Sequence, residues 1–135
     1  MSHFVSITTE LRDPKAIVKA LGRMKLTAQC NEQGLDMTDY FGGRSGVRAQ
    51  IVVPRSKAKS HADIGFILQH DGTYAIHIDS YDKEKQHGGK FDTNWQRKLC
   101  TYYGVEKTKL ELDKKKLKYV EDLDEKERPR IRVRL

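Results

Sequence analysis

The sequence has no run of about 18 apolar residues, the length a membrane-spanning helix needs, and it holds only two cysteines and one tryptophan. The first lack excludes an ordinary transmembrane helix, so no membrane partner is expected. Cys30 and Cys100 are too few for a disulfide framework and too isolated for a zinc knuckle, whose four ligands arrive in close pairs. Both are expected to be reduced and to behave as small buried hydrophobes. The opening "MSHFVSITTEL" has neither the basic start nor the apolar stretch of a secretory signal. The expected location is therefore the cytoplasm or an equivalent reducing compartment, without secretion.

Signatures of chemistry are missing as well. No serine or cysteine sits in a nucleophile elbow, and no carboxylate pair has the spacing of an acid and a base. "FGGRSG" at 41–46 is glycine-rich but lacks the Gly-Lys-Ser/Thr ending of a phosphate loop. The aromatic motif of RNA-recognition sheets is absent. We assign no catalytic residue, no metal and no cofactor, and favour a protein that is not an enzyme.

What is present is charge. Of 135 residues, 33% are charged and 37% hydrophobic, with a formal net charge of +7. A chain of this length suits one domain, 1–135, with a modest core and a well-solvated exterior. The positive balance raises the local concentration of any polyanion but does not choose among nucleic acid, acidic membrane and acidic protein.

Periodicity supplies the elements. Residues 3–9 alternate as a strand, Asp13-Pro14 caps a helix over 14–24, and 26–30 forms a short strand. The stretch 31–46, with four glycines, is expected to be a loop. "VRAQIVVP" places Ala49, Ile51 and Val53 on one strand face, and "RSKAKSH" reads as a mobile basic connection. Runs 64–69 and 74–79 form a hairpin around Asp71-Gly72. A polar connection over 80–90 leads to a second helix, capped by Asp92 or Thr93 and reaching about 103, with Trp95, Leu99 and Tyr102 on one stripe. Beyond Gly104, helix and strand remain open.

The chain closes on "RPRIRVRL". Leu117 and Tyr119 alternate with lysines, and Ile131, Val133 and Leu135 with arginines, so the two runs read as a terminal hairpin. Burial fixes its register, because a slip of one residue moves the apolar set to the wrong face. One face then gathers Lys116, Lys118, Arg130, Arg132 and Arg134, relieved by Val120 and Asp122. Like charges facing each other across strands are unfavourable by roughly 0.2–1 kcal/mol per pair. Solvent screening with nearby carboxylates such as Asp79 or Asp122, a bound polyanion gripped by arginine forks, or an acidic protein would offset that.

Two further groups are candidates. His61 with Asp63, and His77 with Asp79, each put a histidine and a carboxylate on one strand face, a pattern that suits metal binding or proton transfer. His3, His70 and His87 suggest nothing further. Asp39, Tyr40 and Arg44 lie in the glycine-rich stretch and form a candidate small-ligand loop.

"MSHF" followed by "SITTEL", then "DIGF" at 63–66, "DGTYAI" and "NWQRKLCTYY" occur in this order along most of the chain. In that order the motifs resemble the uncharacterised family of the conserved plastid and cyanobacterial reading frame thirty-five, met also in other bacteria and in viruses. The resemblance implies a compact α+β domain and brings no established activity and no catalytic residues.

The expectation is thus an α+β fold, with an antiparallel sheet under about two helices on one face and a C-terminal β-hairpin. The expected role is non-catalytic contact with nucleic acid or another polyanion through Lys116, Lys118, Arg130, Arg132 and Arg134, supported by Arg55, Lys57 and Lys59. An adaptor for an acidic protein and a small-ligand or sequestering domain are the alternatives.

Overall fold

The computed structural model describes residues 4–84, 86 and 88–134. His3, His87 and Leu135, which the sequence reading used, lie outside the described residues. In chain order the elements are β1 (Phe4–Ile7), α1 (Pro14–Arg23), β2 (Gln29–Thr38), β3 (Arg44–Val53), α2 (Arg55–Ala58), β4 (Ile64–Leu68), β5 (Tyr74–Asp79), α3 (Ser80–Lys83), α4 (Thr93–Lys114), β6 (Lys118–Leu123) and β7 (Pro129–Arg134). The fold is mixed α+β: an antiparallel five-stranded sheet of order β1-β5-β4-β3-β2, and a separate antiparallel pair β6-β7.

Local chemistry explains the two long helices. Pro14 opens α1, and the Asp13 carboxylate accepts the Lys15 N–H at 2.9 Å. In α4 the cap is Asp92, which accepts the Trp95 N–H at 3.1 Å. The helix does not stop at Gly104 but continues to Lys114. A glycine in a helix is about 1 kcal/mol worse than alanine, and buried Leu99 and Val105 on either side outweigh that. Beyond it the inward stripe is carried by Glu106 and Lys109, whose charge hides the helical period from a hydrophobicity reading.

α1 and α4 cover one face of the sheet. Ile17 and Leu21 from α1 and Leu99 from α4 meet Ile51, Val53, Ile64, Phe66, Ile76 and Ile78 in the main core. The Tyr103 hydroxyl accepts the N–H groups of Arg12 and Asp13, both at 3.0 Å, and so ties α4 to the start of α1.

The glycine-rich stretch expected as a loop is a bent two-stranded ribbon instead. Gly34 and Gly46 take φ of +96° and +82°, and the β2–β3 register shifts between Cys30 and Leu35 and again between Asp36 and Thr38. The ribbon folds over the second sheet face, where Met37, Ala49 and Val52 form a smaller cluster. Ile51 and Val53 share a face as expected, but Ala49 belongs to the opposite cluster because the ribbon changes phase around Gln50, whose side-chain oxygen accepts the Leu68 N–H at 2.9 Å. Gly65 of β4 lies beneath this cover: a Cβ there would stand 2.9 Å from the Ala49 Cβ and collide with the Met37 sulfur.

Two further expectations are corrected. Residues 55–58 and 80–83 form short helices where only connections were expected, which makes four helices among the described residues. Cys30 and Cys100 are free, as expected, but exposed: Cys30 sits on edge strand β2 and Cys100 on a helix flank. Partial burial of each thiol still pushes its pKa upward.

Candidate nucleic-acid interface

Between Tyr40 and Ala62 the sequence contains Arg44, Arg48, Arg55, Lys57 and Lys59 and no aspartate or glutamate. The fold gathers most of this stretch at one end of the sheet. Asp39 makes the β2–β3 turn rigid: its Oδ1 accepts the N–H groups of Phe41 and Gly43, both at 3.0 Å, while its own N–H donates to the Gly43 carbonyl at 3.0 Å. Gly42 has φ of +81°, and a Cβ on it would lie 2.9 Å from an Arg55 nitrogen.

Arg55 joins this turn to the segment after α2. Its Nη1 donates to the carbonyls of Asp39 at 3.4 Å, Tyr40 at 3.2 Å and His61 at 3.1 Å. Asp63, buried, accepts the Arg55 N–H at 2.7 Å and the Thr38 N–H at 2.8 Å. The two groups that the sequence reading kept apart, Asp39, Tyr40 and Arg44 on one side and Arg55, Lys57 and Lys59 on the other, therefore belong to one place. Asp39 and Arg55 build it, while exposed Arg44, Lys57 and Lys59 make no ion pair among the described residues.

Four aromatic rings complete the surface. Tyr40 stacks on His61 with centroids 4.9 Å apart and 17° between planes, and meets the rings of Phe41 at 5.2 Å and Tyr81 at 5.8 Å edge-on. Phe41 is 80% exposed, held out by the turn beneath it. Aromatic rings interleaved with unpaired cations can stack unpaired bases while drawing in the phosphates between them.

His61 pairs with a carboxylate, but with Asp82 of α3 and not with Asp63 as its spacing suggests. Asp82 is 3% exposed and accepts the His61 N–H at 2.8 Å, the Ala62 N–H at 3.1 Å and ring Nδ1 at 2.8 Å. Two backbone donors and the ring contact orient the Asp82 carboxylate, which in turn fixes the plane of the His61 ring. His77 and Asp79 do share a face of β5, but Asp79 is buried and accepts the Tyr81 N–H at 2.9 Å as the cap of α3, while burial lowers the pKa of His77. No trio of metal-ligating side chains comes together among the described residues.

The terminal hairpin has the register the burial argument requires. Lys118 faces Arg134, Val120 faces Arg132 and Asp122 faces Arg130 on one side, and Tyr119, Glu121, Ile131 and Val133 lie on the other. Arg130, Arg132, Arg134 and Lys118 thus share a face, whereas Lys116 sits before the strand in the turn after α4, at φ of +57°. The face is partly neutralised. Asp122 accepts Arg130 at 2.8 and 3.2 Å and lies 3.2 Å from Arg132; the Arg130 hydrogen bond holds its carboxyl below the usual range.

Beneath the hairpin is a cluster of charges. Glu121 accepts the Arg23 fork at 3.0 and 2.7 Å and Lys109 at 3.2 Å, while buried Glu106 lies 3.4 Å from Lys109 and 3.9 Å from Arg23. It links α1, α4 and β6.

The sequence reading missed Phe41, His61 with Asp82, and this cluster. The acid-free stretch beginning at Tyr40-Phe41 was a usable signal for the first; nothing in the spacing of residues 61 and 82 announces the second. No family model, curated protein or solved structure matches the chain. The site therefore stands on its own geometry.

Proposed function

We propose that this chain is a non-catalytic nucleic-acid-binding protein whose main contact is the surface of Tyr40, Phe41 and His61 with Arg44, Lys57 and Lys59, and that it takes single strands. The observation that carries this reading is the solvent-facing Phe41 ring on a turn that Asp39 and Arg55 fix, amid cations with no exposed acid on the same segments. Stacking needs unpaired bases, and a rigid ring loses little freedom when one arrives. Lys118 and Arg134 on the hairpin, with Lys116 near them, add long-range attraction.

Fluorescence anisotropy with a short single-stranded RNA and its duplex, over a range of salt, tests the reading. Three phosphate contacts predict a slope of about −2 in log affinity against log salt, and Phe41→Ala removes about 1–3 kcal/mol. Equal affinity for duplex and single strand in the Phe41→Ala protein and the parent would reject the stacking surface. A low-salt capture of acidic protein that survives nuclease, with no oligonucleotide binding, would replace nucleic acid with a protein partner.

A further inference from the structure

On the other side of Ala58, the last residue of α2, a cleft of about 270 Å³ opens between α1, α4 and the segment before α4. Three cations, Arg23, Lys90 and Lys98, and three aromatic residues, Phe91, Trp95 and Tyr102, line it, and among the described residues no acidic side chain does. The aromatic rings are already ordered. Phe91 is buried and meets Trp95 edge-on with centroids 4.9 Å apart, and the Arg23 guanidinium lies 4.8 Å over the Tyr102 ring. Arg23 is itself held by Glu121. Lys90 and Lys98 are exposed and make no ion pair among the described residues.

We infer that this cleft is a second binding site, for a single nucleoside phosphate unit, with the base against Trp95 and Tyr102 and the phosphate between Lys90 and Lys98. The volume lies just below the usual range of enclosed ligand pockets, which limits the occupant to one nucleotide unit and leaves no room for a dinucleotide. Charge complementarity sets the class of occupant, because three cations with no acid among the described lining favour an anion, and the aromatic walls favour a flat ring on that anion. The unit can be a free nucleotide or the phosphorylated end of a strand. The inference builds on the nucleic-acid reading above but uses none of the residues of the Phe41 surface.

Trp95 is the sole tryptophan, so its fluorescence reports on this cleft alone. The expected result is saturable quenching by uridine monophosphate with a dissociation constant near or below about 1 mM, with no response to uridine or to inorganic phosphate at the same concentration. Lys98→Glu weakens it about tenfold, while Lys19→Glu, an equal charge change on the exposed face of α1, does not. A 5′-phosphorylated oligonucleotide that quenches when its unphosphorylated form does not identifies a strand end as the source; quenching by the mononucleotide alone identifies a free nucleotide. Absence of quenching, or equal losses in the two variants, overturns the site. Oligonucleotide binding with no Trp95 response to either the mononucleotide or the 5′-phosphorylated strand overturns the cleft while sparing the Phe41 surface, and mononucleotide quenching without oligonucleotide binding supports the cleft while rejecting that surface.

Discussion

Glu121→Gln should release the terminal hairpin without unfolding the sheet. β6 and β7 pair only with each other among the described strands, and an isolated two-stranded hairpin is marginal in water. Besides the packing of both strands on α4 and the Tyr119–Asp113 hydrogen bond, its hold on the body comes from what Glu121 reaches: the Arg23 fork at 3.0 and 2.7 Å and Lys109 at 3.2 Å. Hydrogen bonds to charged groups contribute roughly 1.5–3 kcal/mol. Glu121 is 24% exposed, and solvent screening places the loss in the middle of that range, at about 2 kcal/mol. The charge left behind is tolerable, since Arg23 and Lys109 keep Glu106 as a partner at 3.9 and 3.4 Å, so α1 and α4 stay together.

Hydrogen exchange separates the two parts of the molecule. A loss of about 2 kcal/mol speeds exchange of the β6 and β7 amides about thirtyfold, while amides of β3, β4 and β5 keep their rates. Acid gives an independent check. The hydrogen bonds from Arg23 hold the Glu121 carboxyl below the usual range, against the opposing effect of burial. A carboxyl depressed in the folded state contributes stability above its unfolded value, near 4.3, and loses it as pH falls through the lower folded value. Hairpin protection in the parent should decline below about pH 4, and Glu121→Gln should shrink that step to the part that the depressed carboxyls of Asp122 and Asp124 supply. Equal acceleration of hairpin and sheet amides, or none in the hairpin, would refute the anchoring argument.

Other substitutions probe other parts. Gly65→Ala pushes a methyl into Met37 and Ala49 and should lower stability by about 1–3 kcal/mol, read as a lower urea midpoint at unchanged slope. Asp122→Asn frees Arg130 and Arg132; if the hairpin assists binding, RNA affinity at low salt rises and its salt slope steepens, and an unchanged slope removes the hairpin from the interface. Arg55→Met removes the donor shared by two carbonyls of the Phe41 turn and that of His61 and should weaken oligonucleotide binding several-fold, with most of the loss in dissociation rate by stopped flow.

The readable parts of the chain were those where side-chain period and capping chemistry agree. Asp13-Pro14, Asp92 and the Asp71-Gly72 hairpin gave α1, the start of α4, and β4 with β5 at nearly their observed bounds. The β2–β3 ribbon was not readable, because glycines at positive φ serve a bulged strand as well as a loop and only the cover over Gly65 distinguishes them. The far half of α4 was hidden for a different reason, since Glu106 and Lys109 occupy inward positions where hydrophobic periodicity expects apolar side chains. Within the candidate site, the cations and Tyr40 were named from sequence, but their convergence depends on Arg55 crossing to three carbonyls, a contact without a local pattern.

The strongest sequence signal, the alternating arginines, marks the weaker of the two basic surfaces, and partner geometry explains why. Asp122 has the same strand parity as the cations and stands directly opposite Arg130, so folding itself supplies a counter-ion. The unrelieved pair is Lys118 opposite Arg134, close in sequence to Lys114, Lys115 and Lys116 at the end of α4. Helix C-terminal carbonyls attract cations by about 0.3–1 kcal/mol each, which accounts for those lysines without a ligand. No such compensation reaches Lys57 and Lys59, because α2 is only four residues long and presents no comparable dipole. Their charge sits on the short helix that Arg55 ties to the turn of the exposed Phe41 ring, and it meets no ion-pair partner among the described residues. That difference in internal compensation makes the Phe41 surface the better place for an external anion.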